Sequence, residues 1–323
     1  MRIGRPLLKL PVRFCGDTLA REISVLPAHA WMPHPQKFDG NIAVPLVSPG
    51  GGQVHQSFGP MAPTEWLRRC PYILEIMEVL DATWGRSRLM GLEPGAVVPE
   101  HVDIHYYWRT HLRIHIPVIT NPQVDFTAAG ETIHMPAGDC YILDSFYRHS
   151  VKNGGAETRV HLVLDTVGSA HLWDLIEEAQ QDPEPRFVRP GETHVQSLHF
   201  EQINAPAVMS PWEIRTHLSY IAEWTDDGPE LQEVLRILDR FVMAWGGTWA
   251  RYGASGEGLP IYLQQLNDVR ALVFKVANPE FRMRNGRPLL TSVEQFILGN
   301  AIAPQIVQKL QGGAAMRPFR MRA

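Results

Sequence analysis

Cysteine is scarce: the 323 residues hold three, at positions 15, 70 and 140, widely spaced and odd in number. That excludes a disulfide framework and a Cys-x-x-Cys metal site, and points to reduced, buried thiols. Basic excess is lacking too. A formal charge of -4 and a pI near 6.4 leave no cationic footprint, so no nucleic-acid partner is expected. The arginines near the end, Arg317, Arg320 and Arg322, read as a solvated tail. Long apolar runs are missing, and the opening stretch MRIGRPLLKLPVRF is interrupted by Lys9 and Pro11. It reads as neither signal peptide nor membrane span, so the expectation is a cytoplasmic protein without a membrane partner. The glycines of SPGGGQVHQSFGP (48–60) lack the Lys and Ser/Thr of a phosphate-binding loop. They suggest a flexible connection or a lid instead. There is no internal repeat.

What remains is an ordinary globular composition, 45% hydrophobic and 20% charged, enough for a large domain and an appendage. Alternation over Leu8–Phe14 predicts an edge strand, and a short helix follows from Asp17 to Val25. NIAVPLVS (41–48) reads as another strand, and Thr64 to Trp84 as a core helix around Pro71. From Ser87 to Asp165, short β-branched and aromatic runs are broken by turn signals, which predicts a β-sandwich or barrel. After a helix at 171–181 and a proline-containing linker at 180–192, the chain is mostly helical. Ser210, Pro211 and Glu213 form a capping-box start, long amphipathic stretches lie near 229–246 and 260–277, and Thr291 with Glu294 repeats the box. The expected division is a β domain over 1–182 and a helical domain over 183–323.

Side chains two apart on a strand share a face, which groups His101, Asp103 and His105. Arg113 and His115 oppose Leu112, Ile114, Ile116 and Val118, while Arg159 and His161 oppose Val160, Leu162 and Leu164. A polar strand face is commonly the solvent face. Histidine and arginine on three strands, in place of Lys, Glu and Thr, favour an interior site in which metal, anion or water offsets the cost of burying charge.

His101-Val102-Asp103 places an imidazole and a carboxylate within reach of one ion, and His149 lies 48 residues on. Two histidines and a carboxylate occupy three octahedral positions and leave three open, which suits iron better than a closed zinc site. Arg159 could fork onto the distal carboxylate of a chelating 2-oxoacid. His199-Phe200-Glu201, with His217, is a competing cluster that lies beyond the linker and reads as structural.

PEHVD, LRIHIPV followed by TNP, GDCYILD, HSVKN and TRVHLVLD together resemble the aspartyl/asparaginyl β-hydroxylase family, in its bacterial, proline cis-4-hydroxylase-like branch. The resemblance is strongest over residues 86–166. It implies an α+β protein with a double-stranded β-helix (jelly-roll, cupin-like) core, flanking helices and a helical C-terminal region. It also implies Fe(II) held by His101, Asp103 and His149, with 2-oxoglutarate and O2 as cosubstrates and Arg159 on the distal carboxylate. Arg113 and His115 match an Arg-x-His pair that recognises carboxylates, of cosubstrate or of substrate. His115 is set with Arg159 on the cosubstrate side, and Arg113 with His105 and Trp108 on the substrate side. Tyr106, Tyr107 and Arg109 could add to that rim. The expected reaction is hydroxylation of an amino acid or amino-acid residue, free or peptidyl, with succinate and CO2 released. Desaturation or peptide tailoring by the same chemistry, or a non-catalytic jelly-roll that binds a small anion, are the alternatives. The helical region could cover the site, contact substrate or form a homodimer.

Overall fold

The computed structural model describes residues 3–35 and 38–306, so the arginine-rich tail lies outside the described residues. Two compact units are present among the described residues: the chain up to Asp103 with Thr110–Asn204, and Ile104–Arg109 with the described residues from Ala205.

The first unit begins with β1 (Leu7–Phe14), α1 (Gly16–Ser24), β2 (Met32–Pro33), β3 (Asn41–Pro49) and β4 (Met61–Pro63), then the helices α2 (Glu65–Arg68) and α3 (Pro71–Leu80). Next come β5 (Thr83–Leu92) and β6 (Val97–His101), the short helix α4 (Tyr106–Thr110), and β7 (Leu112–Ile119), β8 (Val124–Ala128), β9 (Glu131–Ile133), β10 (Asp139–Leu143), β11 (His149–Asn153) and β12 (Arg159–Gly168). Helix α5 (Ala170–Ala179) and the short strands β13 (Arg186–Val188) and β14 (His199–Phe200) complete it.

From β5 to β12 the chain alternates between two sheets, one ordered β10-β7-β12-β5 and the other β6-β11-β8-β9. Neighbours in both are antiparallel. That strand order is a double-stranded β-helix, so the expected α+β jelly-roll is borne out. The larger sheet is extended by β1 and β13 on one side and by β3 and β2 on the other.

Period-2 patterning explains the layers. Ile114, Ile116, Leu162 and Leu164 face outward onto Leu19 and Ile23 of α1, Ile73, Ile76 and Met77 of α3, and Leu172 and Ile176 of α5. Each such side chain, fully buried, contributes about 1.5–3 kcal/mol. The inner faces close on a smaller apolar cluster that includes Leu92, Phe126, Tyr141, Leu143 and Val151. Helix α3 is capped from another element: the Glu22 carboxylate accepts the backbone N–H groups of Tyr72 and Ile73 at its first turn.

The structure departs from the sequence expectations at several points. The Thr64–Trp84 helix is two helices that end at Asp81, whose left-handed backbone (φ 41°) closes α3 before β5 starts at Thr83. Strand β1 is no edge, because β13 pairs beside it. Cys70 and Cys140 are buried, but Cys15, which precedes α1, is only half-buried. The glycine loop is held at its shoulders rather than loose: Asn204 Nδ2 donates to the carbonyls of Ser57 (3.1 Å) and Gly59 (3.2 Å), and Arg86 Nη1 donates to that of His55 (2.9 Å). The domain boundary also moves. Residues 183–204 stay with the jelly-roll because β13 pairs β1, β14 pairs β5, and Glu201 exchanges backbone hydrogen bonds with Trp84 (2.9 Å) and Met61 (2.7 Å). Residues 104–109, expected in the β domain, group with the helices instead.

The second unit contains α6 (Pro211–Glu223), α7 (Pro229–Tyr252), α8 (Leu259–Val276) and α9 (Leu289–Val293). Ser210 accepts the Glu213 N–H at 3.1 Å, as the capping signature requires. The Glu213 carboxylate does something else: it accepts the Tyr106 hydroxyl at 2.6 Å. The second box is not used as one. Helix α9 starts at Leu289 after Pro288, and the Glu294 carboxylate takes the Arg270 fork at 2.9 and 3.1 Å. No helix among the described residues is long and apolar enough to cross a membrane.

Candidate metal centre

His101 ends β6 and His149 opens β11, and the antiparallel register sets the two directly opposite one another. Their rings lie 4.2 Å apart between centroids. Asp103 stands two residues beyond the end of β6, where strand alternation no longer applies. Its position comes instead from its backbone N–H, which donates to the Ser145 carbonyl at 3.0 Å. One ligand atom from each of His101, Asp103 and His149 then lies within 4.8 Å of the others.

The remaining ring nitrogens are committed. Nδ1 of His101 lies 2.8 Å from the Pro99 carbonyl and Nδ1 of His149 2.9 Å from that of Tyr147. A carbonyl can only accept, so Nδ1 carries the proton in both rings and each Nε2 keeps its lone pair, the tautomer that metal-binding histidines need. Burial holds His149 down to about 4, so it is neutral near pH 7.

Asp103 is fixed through Oδ2. Oδ2 accepts Nη1 of Arg113 at 2.9 Å, and Oδ1 lies 3.8 Å from Nε2 of His101. Burial works against its charge, but Arg113, His149 and His101 outweigh that and hold the carboxyl below its usual range. Arg113 also donates Nε to Asp165 at 3.1 Å. Expected on the substrate side, it is bound between two protein carboxylates.

Deeper in the barrel, Arg159 opens β12 and is 5% exposed. Its Nε and Nη2 have no hydrogen-bond partner among the described residues, and desolvation pushes the guanidinium down to about 9. His115 and His161 are also buried, with both ring nitrogens of each unpartnered among the described residues and centroids 5.8 Å apart. Burial is the main cause that drives both well below the ordinary histidine range.

Six of the eight residues expected at the site therefore gather within the jelly-roll unit: His101, Asp103, His149, Arg113, His115 and Arg159. His105 and Trp108 belong to the segment 104–109 of the other unit. His105 does not continue the strand face of His101, because β6 has ended and the chain turns into α4, where Trp108 N–H bonds the His105 carbonyl at 3.0 Å. Tyr106 and Tyr107 are buried, and Arg109 lies over the Tyr220 ring at 3.6 Å. The competing cluster is dispersed: His199 is exposed, and Glu201 is buried against His111 at 3.0 Å and Asn204 at 3.0 Å.

Sequence reasoning missed Arg86, Arg88 and Asp165. Arg86-Ser87-Arg88 carries the same two-apart signal as Arg113 and Arg159, but it stands where the helix was expected to give way to strand. Asp165 was read only as the end of the strand-rich stretch.

Fold and cluster together define a jelly-roll protein with a candidate two-histidine, one-carboxylate metal centre. Residues 57–168 match the aspartyl/asparaginyl β-hydroxylase family, a span that holds all six gathered residues. The family resemblance read from the sequence is borne out over that segment. The L-proline cis-4-hydroxylase of Rhizobium meliloti (strain 1021) is 25% identical over 124 residues, which are 38% of this chain and 44% of that protein, so the match spans under half of its length. Among solved structures, a Pseudomonas putida prolyl-4-hydroxylase is 12% identical over 50% of this chain and 92% of its own, at a TM-score of 0.35. A Burkholderia pseudomallei oxidoreductase of the 2OG-Fe(II) oxygenase family is 14% identical over 51% of this chain and 87% of its own, at 0.34. The jelly-roll assignment rests on the strand order, not on these two.

Proposed function

We propose that the chain is an Fe(II)- and 2-oxoglutarate-dependent dioxygenase that hydroxylates an unactivated C–H bond of an amino acid or amino-acid residue. The observation that carries this reading is the pairing of two features in one barrel. One is a set of one ring nitrogen from each of two imidazoles and a carboxylate oxygen, all within 4.8 Å of one another. The other is the buried Arg159, whose unpartnered Nε and Nη2 fit the distal carboxylate of the oxoacid.

His101, Asp103 and His149 would hold the iron on one side and leave the other open. When bound, iron and 2-oxoglutarate supply the oxidising chemistry: O2 and the oxoacid yield succinate, CO2 and one oxygen atom for the substrate C–H bond. The chain contributes binding, orientation and dryness. Arg113 holds the Asp103 carboxylate ionised and turned toward the histidines. Arg159, with the neutral His115 and His161 beside it, receives the dianion and offsets its desolvation. Leu92, Phe126, Leu143 and Val151 wall the barrel with apolar surface that excludes water.

A small-molecule amino acid or peptidyl substrate, a cytoplasmic setting and a homodimer formed through the helical unit belong to the same proposal. The test is anaerobic addition of Fe(II) and 2-oxoglutarate, followed by O2 and a panel of amino acids and peptides. The reading expects a visible charge-transfer band, then substrate-dependent succinate with a product heavier by one oxygen, all lost in His101→Ala and Asp103→Ala. Absence of the band in the unaltered protein would sink it.

A further inference from the structure

Helices α7 and α8 form an antiparallel hairpin joined by the single turn Gly256–Gly258. Gln265 Nε2 of α8 donates to the Ala244 carbonyl of α7 at 3.2 Å and to Thr248 Oγ1 at 3.0 Å, while Tyr262 donates to the Gly253 carbonyl at 2.8 Å. Leu259, Tyr262, Leu266, Val269 and Val273 are buried on the packed side of α8. The side turned to solvent is not the polar face that an ordinary surface helix presents. Leu272 is 52% exposed, Val276 41% and Ile261 38%, and the apolar surface continues onto α7 at the exposed Met243, next to Ala244. Along this side Ile261, Gln265, Asp268, Leu272 and Lys275 follow at steps of four, three, four and three residues. That is the spacing of a seam that meets a second helix.

The charges of α8 specify the partner. The helix carries three: Asp268, Arg270 and Lys275. Arg270 is engaged, with its fork on Glu294 at 2.9 and 3.1 Å. Asp268 and Lys275 are exposed and stand in no ion pair among the described residues, although Asp268 accepts Gln264 Nε2 at 2.8 Å. They do not pair with each other, because seven residues place them on one stripe but about 10.5 Å apart along the axis. Their midpoint falls beside Leu272. A second α8 laid antiparallel about a two-fold axis at that midpoint sets Asp268 level with the partner's Lys275, on the same side of the seam, and the reciprocal pair follows by symmetry. The two Leu272 side chains then meet at the axis. A parallel copy would set like charges level with one another. Opposite charges at equal distances on either side of an apolar residue thus make the helix complementary to its own reversed copy.

We infer that α8 is a homodimer interface, in which it packs antiparallel on α8 of a second copy about Leu272 and closes two Asp268–Lys275 ion pairs. The two hairpins together then build a four-helix assembly. This rests on the homodimer of the proposed function and is independent of its oxygenase chemistry.

The test measures the mass of the full chain by sedimentation equilibrium over a dilution series. Twice the chain mass of 36.5 kDa is expected, falling to one chain mass on dilution. Asp268→Lys and Lys275→Asp should each weaken association by about tenfold or more, since like charges set level repel. Leu272→Glu should do the same by placing two carboxylates at the axis. The double variant Asp268→Lys/Lys275→Asp restores opposite pairs and should recover the dimer. An equimolar mixture of the two single charge variants should form a mixed dimer where neither associates alone, which a misfolded variant would not do. All three positions are exposed, so melting temperatures in the dilute range should match that of the unaltered chain. A dimer indifferent to the charge reversals, or a double variant and a mixture that fail to recover it, overturns this interface and leaves the homodimer standing. One chain mass at every concentration overturns both. In each case the charge-transfer band decides the oxygenase reading separately.

Discussion

Arg113 Nη1 donates to Asp103 Oδ2 at 2.9 Å while Nε of the same guanidinium donates to Asp165 Oδ1 at 3.1 Å, so one fork on β7 ties the candidate metal carboxylate to the neighbouring strand β12. Arg113 is thus a positioning residue for the metal site, and its removal should be felt there before anywhere else.

Replacing Arg113 with methionine should weaken metal binding by about 10–100-fold, the usual cost of losing a partner that orients a ligand. It should also destabilise the chain by about 3–5 kcal/mol, because Asp165 is left buried beside a missing cation. Arg113→Lys keeps one contact and should fall between. Mn(II) titration and urea unfolding on the three proteins separate the two effects.

Arg159 behaves in the opposite sense. Its buried cation has two unpartnered donors among the described residues, so Arg159→Met should leave the ligand-free protein as stable as before or more so. The stabilisation that 2-oxoglutarate gives the metal-loaded protein should vanish. Melting temperatures with and without the oxoacid check both halves, and a large loss in the ligand-free variant would contradict the reading.

His217 of α6 is 3% exposed, packs against Tyr106 and Phe296, and is held down to about 3, chiefly by burial and then by Arg109. With its folded value below the ordinary 6.5, the unfolded chain takes up the proton first as pH falls. Its contribution to stability is complete above about pH 6.5 and is lost towards pH 3, at about 1.4 kcal/mol per pH unit. His217→Phe should flatten the stability profile between pH 7 and 5 by about 2 kcal/mol, measured by urea unfolding at the two values.

His111 and Glu201 form a pair with side chains 0% and 5% exposed and 3.0 Å apart. His111→Leu alone strands the carboxylate and should cost about 3–5 kcal/mol. Adding Glu201→Leu should recover a good part of that loss. A double-mutant cycle in urea reads the recovery, and strict additivity would mean that the pair is uncoupled.

Much of the barrel was legible because strand alternation is a local property. Leu112, Ile114 and Ile116 on one side of β7, and Arg113 and His115 on the other, report two environments within eight residues. The ends of elements were less legible. Thr83 and Trp84 extend an apolar helical pattern in the sequence, but the left-handed turn at Asp81 cuts it. The linker was read as a boundary from its prolines, yet strand contacts of only three residue pairs at β13 and two at β14 keep it on the sheet, and contacts so short leave no periodicity to detect.

By itself the sequence determined which strands would have a polar inner face and which residue types stood ready for a metal and a carboxylate, since side-chain direction along a strand follows from parity alone. Only the tertiary structure decided what those residues hold. Asp103 reaches the histidines through a carbonyl supplied 42 residues later by Ser145, Arg113 turns to two protein carboxylates because β12 lies beside it, and Trp84 faces the outer core, opposite to Arg86, because the β5–β12 register breaks between Ser87 and Trp84. Each of these is a relation between distant strands, set by register, and register is the property that a local pattern does not carry.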